Sequence, residues 1–343
     1  AVLALTAVIA FSTDTGQFLA SLFFPDDLTE KEIMEAYNSG RKVKILVVPG
    51  HDNEFYGSEY KGVTEARLTA RIGKYLFEYL KNHSRFETYL ARDENDYSPF
   101  LANYFEKEKS GIEEFIEKTR LAFNQFVGEK LVRKTASHLQ RNRANSKSIR
   151  RLYGINKWAN ENKIDLIVHL HLNNHDGSMK QKYSGFSLYV PEKQMPNYEA
   201  SQSIARTLSS TFAKHWPKSN LPLEKETIIE DPELIALGSF GSLRSASVLV
   251  EYGYIYEPRF EFDVFLKETA FRTYYGLMTY FDKIEPNFGE YSWAFPHTWK
   301  GIVGLGAESS EETALLQIAL KKAGFYPPAG KNIYDCPISG NFK

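Results

Sequence analysis

The chain has 343 residues, a formal net charge of −1 and a single cysteine, and 43% of its residues are hydrophobic. At about 150 residues per domain, this length corresponds to roughly two domains. The 42 basic and 43 acidic residues nearly cancel, which argues against a nucleic-acid partner. The one cysteine, Cys336, excludes an intrachain disulfide framework and a cysteine-rich zinc site. No apolar run reaches the ~18 residues that a transmembrane helix needs.

Residues 1–26 have the pattern of a signal-like segment or an anchor remnant. Residues 1–11 are almost wholly apolar, and a polar stretch separates them from a second apolar run at 18–24. The first run has the length of a signal-peptide core, ~7–15 residues. We therefore expect export from the cytoplasm, with membrane contact only through this segment if it is not cleaved. The alternative is a short hydrophobic element that packs on the domain.

Apolar, β-branched runs alternate with helical patterns along the rest of the chain. Residues 27–42 are a charged helix or linker. Strands are predicted at 43–48, 86–91, 164–172, 184–190 and 246–250, and helices at 62–80, 99–150, 155–160, 200–212 and 264–281. This alternation predicts an α/β fold with a mostly parallel central sheet flanked by helices on both faces and with a helical insertion.

Ionisable residues lie at or just beyond the carboxyl ends of three of the predicted strands. They are His51, the pair His169 and His171, and Glu251. In parallel sheets, ligands bind beyond the carboxyl ends of the strands. Two imidazoles and one carboxylate with an open fourth position form a common catalytic zinc site. This makes His51, Glu65 at the start of the next helix, and His171 candidate metal ligands.

Glu251 is placed to reach the same spot as a general base and acid. His169 and His171 lie two residues apart on one face of a strand, so either can be the ligand. Taken singly, each of these histidines would more often be an ordinary polar strand terminus.

Short motifs occur in a fixed order between about residues 43 and 282. They are Pro49-Gly50-His51, Gly62-Val63-Thr64-Glu65, Ala159-Asn160, His171-Leu172-Asn173 and Glu251-Tyr252-Gly253-Tyr254, with smaller matches at Leu90-Ala91-Arg92-Asp93, Gly185-Phe186 and Ser201-Gln202-Ser203-Ile204-Ala205. In this order and combination they resemble the zinc-dependent N-acetylmuramoyl-L-alanine amidase family. Each motif alone is weak, whereas the ordered set is specific.

The resemblance implies that His51, Glu65 and His171 bind Zn²⁺ and that Glu251 is the catalytic carboxylate. It favours His171 over His169, because His171 is the histidine followed by x-Asn. The implied reaction is hydrolysis of the amide bond between N-acetylmuramic acid and L-alanine in bacterial peptidoglycan. A zinc-activated water attacks, and Glu251 acts as general base and acid.

Four other residues are expected to bind substrate or to support the ligands: His169, Asn173, Asn160 and Arg92. The chain departs from the family pattern around the first histidine, where Val48 replaces Asp and Asp52-Asn53 replaces Gly-Gly. It also has His169 where the family tends to have Ser. The alternatives are a carboxypeptidase-like zinc peptidase on stem peptides and an inactive wall-binding protein.

The resemblance divides the chain into a catalytic domain at 27–284, a linker at 285–310 and a partial peptidoglycan-binding-like module at 311–343, which could also be an ordinary helical hairpin. The expected location is extracytoplasmic, in the periplasm or cell wall of a bacterium. An insert at about 99–145 interrupts the catalytic domain. Basic residues concentrate in and just after its second half: Lys130, Arg133, Lys134, Arg141, Arg143, Lys147, Arg150 and Arg151. This stretch is either a solvated helix face or an arm that meets anionic wall polymer or shields the site.

Overall fold

The computed structural model describes residues 29–137, 144–174 and 182–283, together with three isolated helical positions, Glu312, Leu316 and Leu320. The predictions for 1–26, for the linker at 285–310 and for most of the module at 311–343 lie outside the described residues. Within the described part of the chain, no helix has both the length and the apolar character needed to cross a membrane.

Most of the predicted strands and helices lie close to elements of the structure, whereas the short strands at 59–60, 63–64 and 228–230 were not predicted. The strands are β1 (Val43–Pro49), β2 (Glu59–Tyr60), β3 (Val63–Thr64), β4 (Phe86–Leu90), β5 (Leu166–Asn173), β6 (Ser187–Val190), β7 (Ile228–Glu230) and β8 (Ala246–Tyr254). The helices are α1 (Glu30–Ser39), α2 (Glu65–Lys81), α3 (Pro99–Lys107), α4 (Lys109–Gly128), α5 (Ser146–Glu161), α6 (Tyr198–Ala213) and α7 (Asp263–Asp282). Short 3₁₀ turns connect the later elements, at Pro222–Glu224, Ile235–Leu237, Ser239–Gly241 and Pro258–Glu261.

The central sheet is mostly parallel, as predicted. Its strand order is β4-β1-β5-β8-β6-β7 in the described residues. Strands β4, β1, β5 and β8 are parallel neighbours. Strand β6 runs antiparallel to β8, and β7 runs parallel to β6. The carboxyl ends of β1, β5 and β8 therefore meet at one edge of the sheet, where a ligand site is expected.

The sheet is buried on both faces because successive residues of its central strands enter different cores. On one face, Val47, Val168 and Leu170 pack with α1, α2, α6 and α7. On the other face, Leu46 and Ile167 pack with α3 and α5. The near-continuous apolar runs of β1 and β5 follow from this two-sided burial.

The insertion packs on the domain as an additional helical layer. Helix α4 buries Ile112 and Ile116 against Tyr153 of α5. Further along the same helix, Phe123 meets Phe240, with ring centroids 5.2 Å apart. The long helical stretch predicted over 99–150 is divided at Glu108, where α3 gives way to α4. It is broken again after Gly128, because Lys130 has a φ of 60° that an α-helix cannot contain.

The basic stretch in and just after the insertion is partly neutralised by acidic residues of the same chain. Among the described residues of this stretch, three cations form ion pairs: Lys147 with Glu54, Arg150 with Glu113 and Arg151 with Asp52. An anionic polymer that bound here would have to use the remaining basic residues or compete with these pairs.

Candidate metal centre and active site

His51 stands at the tip of the turn that ends β1. The backbone N–H of Gly50 donates to the Leu170 carbonyl of β5 at 2.8 Å, so the turn stays joined to the sheet. A Cβ atom on Gly50 would lie 2.4 Å from the His171 ring, so only glycine permits this close approach. His51 itself has a φ of 60°, in the left-handed region. This unusual backbone directs the chain away from the sheet immediately after the histidine.

Glu65 is the first residue of α2 and is delivered by the β2–β3 hairpin. Thr64 caps the helix in an extended conformation, and its hydroxyl accepts from the Arg67 N–H. The Glu65 backbone N–H donates to the Ser58 carbonyl at 2.7 Å. The Glu65 side chain is buried, with 4% of its surface exposed. A carboxylate at a helix N-terminus is favoured by the helix dipole, which helps to keep it ionised there.

The three predicted ligands come together at this edge of the sheet. His51 Nε2 lies 3.1 Å from Glu65 Oε2, and His171 Nδ1 lies 3.0 Å from Glu65 Oε1. One donor atom from each residue lies within 4.8 Å of the other two. The backbone N–H groups of Leu172 and Ser58 each donate to one Glu65 oxygen at 3.1 Å. The carboxylate is thereby fixed in orientation between the two imidazoles.

The charges of the cluster reinforce one another. Burial opposes ionisation of Glu65, but the attraction and hydrogen bonds of His51 and His171 outweigh it and hold the pKa of this carboxyl well below its ordinary value. Burial likewise opposes protonation of His51, but the neighbouring Glu65 outweighs it and raises the pKa of His51. A carboxylate that stays ionised between two imidazoles is a donor set suited to a divalent cation.

Glu251 lies beside His171 in the sheet. Its Cα is paired with that of His171 on β5 and with that of Ser187 on β6. Residues in register on neighbouring strands project from the same face, so the Glu251 and His171 side chains share one face of the sheet. The residue is 6% exposed. Strand β8 continues past the predicted end at Val250, because Glu251 still pairs with His171 and Tyr254 with Asn173 of β5.

His169 shares that face, but it lies two residues deeper in the sheet. It is 1% exposed and bonds to the backbone of Ala236 in the 3₁₀ turn that covers this part of the sheet. Burial, together with the charge of the nearby His171, lowers the pKa of His169 to about 3. The imidazole is therefore neutral at ordinary pH and lies outside the cluster formed by His51, Glu65 and His171.

Arg92 is buried and connects the two segments that carry the candidate ligands His51 and Glu65. Its guanidinium donates to the carbonyls of Pro49 at 3.2 Å and of Gly50 at 2.6 Å, directly before His51. It also donates to the Ala66 carbonyl at 2.7 Å, directly after Glu65. The side chain is 1% exposed, and these contacts tie the β1 turn to the first turn of α2.

The two asparagines predicted near the site have different surroundings. Asn173 Nδ2 donates to Glu224 Oε1 at 2.9 Å, and the pairing register of β5 with β8 shifts between His171 and Asn173. Asn160 donates to the Ser242 carbonyl and accepts from a backbone N–H in the loop before β8. Because that loop is at the edge where the parallel strands begin, the structure does not bring Asn160 to the cluster.

Two further residues contact residues of the predicted site without having been predicted from the sequence themselves. Gly57 has a φ of 71°, and a Cβ there would lie 2.5 Å from both Glu65 Oε2 and the His51 ring. Glu224 is a buried carboxylate that accepts from Asn173 and from the Tyr189 hydroxyl. Gly57, in a polar loop, carried a turn signal, whereas nothing in the local sequence around Glu224 indicated its burial.

The profile of the N-acetylmuramoyl-L-alanine amidase family matches residues 45–262, which is more than half of the 343 residues. The chain belongs to the N-acetylmuramoyl-L-alanine amidase family. The matched span of this amidase contains His51, Glu65, His171 and Glu251. No curated protein sequence matches the chain.

Solved structures that are similar to this amidase include three from bacteria. The N-acetylmuramoyl-L-alanine amidase from Clostridium difficile 630 is 17% identical, with a TM-score of 0.45, over 70% of this chain and 97% of that one. The CwlD amidase from Clostridioides difficile, solved with the GerS lipoprotein, is 15% identical, with a TM-score of 0.48, over 71% of this chain and 100% of that one. The amidase Ami1 from Mycobacterium smegmatis is 12% identical, with a TM-score of 0.47, over 70% of this chain and 97% of that one.

Proposed function

We propose that this amidase hydrolyses the bond between N-acetylmuramic acid and L-alanine in bacterial peptidoglycan, with zinc held by His51, Glu65 and His171 and with Glu251 as general base and acid. The observation that carries the proposal is the convergence of these four residues at one edge of the sheet. They come from four separate segments, and all of them lie inside the matched family span.

The donor set fits zinc. Two imidazoles and one carboxylate are ligands that catalytic zinc sites use, and they leave a position for water or substrate. The donor atoms of the three residues are already within 4.8 Å of one another. Gly50 and Gly57 leave the space that the rings and the carboxylate occupy. His51 remains accessible, with 33% of its side chain exposed, so one side of the cluster faces solvent.

Each residue then has a defined task. Zinc held here supplies Lewis acidity, which polarises an amide carbonyl and makes water a better nucleophile. Glu251 accepts the proton of the attacking water and passes it to the leaving nitrogen of the amide bond. Arg92 holds the two ligand-bearing segments together, and neutral His169 supports the strand below His171. We also propose that Asn173, anchored by Glu224, contributes to the wall of the site.

A zinc peptidase that shortens stem peptides is the second candidate, because it would use the same kinds of ligand and base. An inactive wall-binding protein is the third. The presence of His51, Glu65 and His171 in one cluster, with Glu251 paired to His171 on the neighbouring strand, argues against that reading, because an inactive homologue is expected to lose at least one of them.

Digestion of purified peptidoglycan with and without a zinc chelator tests the proposal. We expect mass analysis to show complete stem peptides and peptide-free glycan strands, and we expect chelation to abolish both products. Shortened stem peptides still attached to glycan would identify the peptidase instead. No product from the zinc-loaded protein would leave the wall-binding alternative.

An enzyme with this substrate acts outside the cytoplasmic membrane, so we propose an extracytoplasmic location. Wall binding by residues 311–343 and binding of anionic polymer at the insert remain predictions. Both can be measured by co-sedimentation with purified cell walls, using a chain that lacks the segment in question as the control.

A further inference from the structure

The backbone of His51 requires support from its neighbours. A φ of 60° is uncommon for any residue other than glycine, and a site that relies on it must be held by surrounding contacts. The next residue, Asp52, provides a local restraint. Its Oδ1 accepts from the backbone N–H groups of Glu54 and Phe55, both at 2.9 Å. These bonds close a tight turn immediately after the histidine.

The other oxygen of Asp52 joins this turn to helix α5 and to Tyr97. Its Oδ2 accepts from Nη1 of Arg151 on α5 at 2.6 Å and from the Tyr97 hydroxyl at 3.1 Å. The guanidinium of Arg151 also lies 5.4 Å from the centre of the Tyr97 ring. Only 11% of the Asp52 side chain and 18% of the Arg151 side chain are exposed. Water therefore screens this ion pair far less than a surface pair.

A second, more exposed contact runs between the same two segments. Nη2 of Arg151 lies 3.2 Å from Glu54 Oε1, and Lys147 of α5 also bonds to the Glu54 carboxylate. Helix α5 follows the insertion, and its start is fixed by Asn145, whose side chain caps the Lys147 and Ser148 N–H groups. The turn after His51 is thus attached to the helix at the end of the insertion by two acidic side chains.

We propose that Asp52 and Arg151 are positioning residues for His51, and that through them helix α5 sets the affinity of the metal centre. This inference rests on the metal centre described under the proposed function. The Asp52 carboxylate is placed to restrain the turn because one oxygen closes it locally while the other is held by a helix of the domain. Without Arg151, the turn keeps its local bonds and the exposed Lys147–Glu54 pair but loses the buried attachment of Asp52 to α5, so His51 samples orientations that do not bind metal.

Two adjacent arginines allow a matched test. Arg151→Met removes the guanidinium that binds Asp52 and keeps the length of the aliphatic side chain. Arg150→Met is the control, because Arg150 pairs with Glu113, a contact in which the two side chains are 42% and 54% exposed. The affinity of each full-length variant for Zn²⁺ is measured by competition with a chromophoric chelator, and the melting temperature of each metal-free variant is recorded.

We expect zinc affinity to fall about 10- to 100-fold in Arg151→Met, the range seen when outer residues of a metal site are lost. Arg150→Met should bind zinc as the wild type does. Asp52→Asn should also weaken binding, because the amide keeps the turn acceptor but loses the charge that pairs with Arg151. The double variant Asp52→Asn/Arg151→Met should lose less than the sum of the two single effects, because both remove the same contact.

Equal zinc affinities in Arg151→Met and Arg150→Met would overturn the inference, even if Arg151→Met melts at a lower temperature. Additive effects of Asp52→Asn and Arg151→Met would also overturn it. These measurements need no peptidoglycan, so they are independent of the substrate assignment. A wild-type protein that does not bind zinc would remove the proposed metal centre, and this inference with it.

Discussion

Replacement of Gly50 by alanine places a methyl carbon in the space of the His171 ring. The Cβ would lie 2.4 Å from His171 Cε1 and 2.6 Å from both ring nitrogens. Carbon atoms in ordinary contact are ~3.5 Å apart, so the ring or the turn must move by about 1 Å. The turn has little freedom to move, because the Gly50 N–H is bonded to Leu170 and its carbonyl accepts from buried Arg92.

The strain therefore falls mainly on His171. A displacement of ~1 Å in a catalytic constellation costs about 100-fold in rate, and insertion of a methyl group into a packed region costs ~1–3 kcal/mol of stability. We expect Gly50→Ala to lower zinc affinity and peptidoglycan hydrolysis by about 100-fold while the chain still folds. Chelator competition measures the affinity, released stem peptide measures the rate, and urea unfolding measures the stability.

The matched control is Gly128→Ala at the end of α4, where an added Cβ would have nothing within 4 Å. This control should leave both metal affinity and rate unchanged. If Gly50→Ala also binds zinc and hydrolyses substrate as the wild type does, the close packing of the β1 turn on His171 is not required, and the reasoning fails.

Three further predictions follow from the structure. Glu65→Gln keeps the shape of the side chain but removes its charge, so zinc affinity should fall by at least ~100-fold in the same competition assay. Such a loss exceeds the ~10- to 100-fold expected when a residue that supports a metal ligand is removed. A smaller loss would mean that Glu65 is not a ligand. Leu76→Ala removes a fully buried side chain of α2, which should cost ~2–5 kcal/mol in urea unfolding with no change in zinc affinity. Burial opposes ionisation of Asp263, but Tyr75, Lys267 and Arg71 outweigh it and hold its pKa below the ordinary value. Because the folded-state pKa is lowered, the contribution of the ionised Asp263 to stability is fully present above the unfolded pKa of ~3.9 and is lost as the pH falls through the folded value. The free energy of unfolding of the wild type in urea should therefore exceed that of Asp263→Asn by ~1 kcal/mol at pH 7 and by much less near pH 2. An equal difference at both pH values would contradict this account.

Most of the sheet could be predicted from the sequence because burial on both faces leaves a strong signal. The apolar runs of β1 and β5 and the helical spacing of α2 gave these elements within a few residues. The β2–β3 hairpin was not predicted, because strands of two residues are too short to show a period. The predicted long helix of the insertion failed at Lys130, whose positive φ has no marker in the local sequence.

The candidate cluster was predictable for a related reason. The carboxyl ends of parallel strands lie at the same edge of a sheet. Because His51, His171 and Glu251 follow or end predicted strands, the sequence placed them at one edge. The alternation of side-chain direction along a strand correctly put His169 and His171 on one face of β5. It could not show that His169 lies deeper, beneath the turn at Ala236. The attachment of Asp52 to Arg151 joins residues 99 positions apart, and no local pattern reports such a contact.

Release of stem peptide from purified peptidoglycan by the zinc-loaded wild type and by zinc-loaded Glu251→Gln tests the central claim most directly. The two proteins should contain the same amount of zinc, because Glu251 is not among the proposed ligands. We expect complete stem peptides from the wild type and a rate about 100- to 10,000-fold lower from Glu251→Gln, the range attributed to a general base. Release at the wild-type rate by Glu251→Gln would contradict the account.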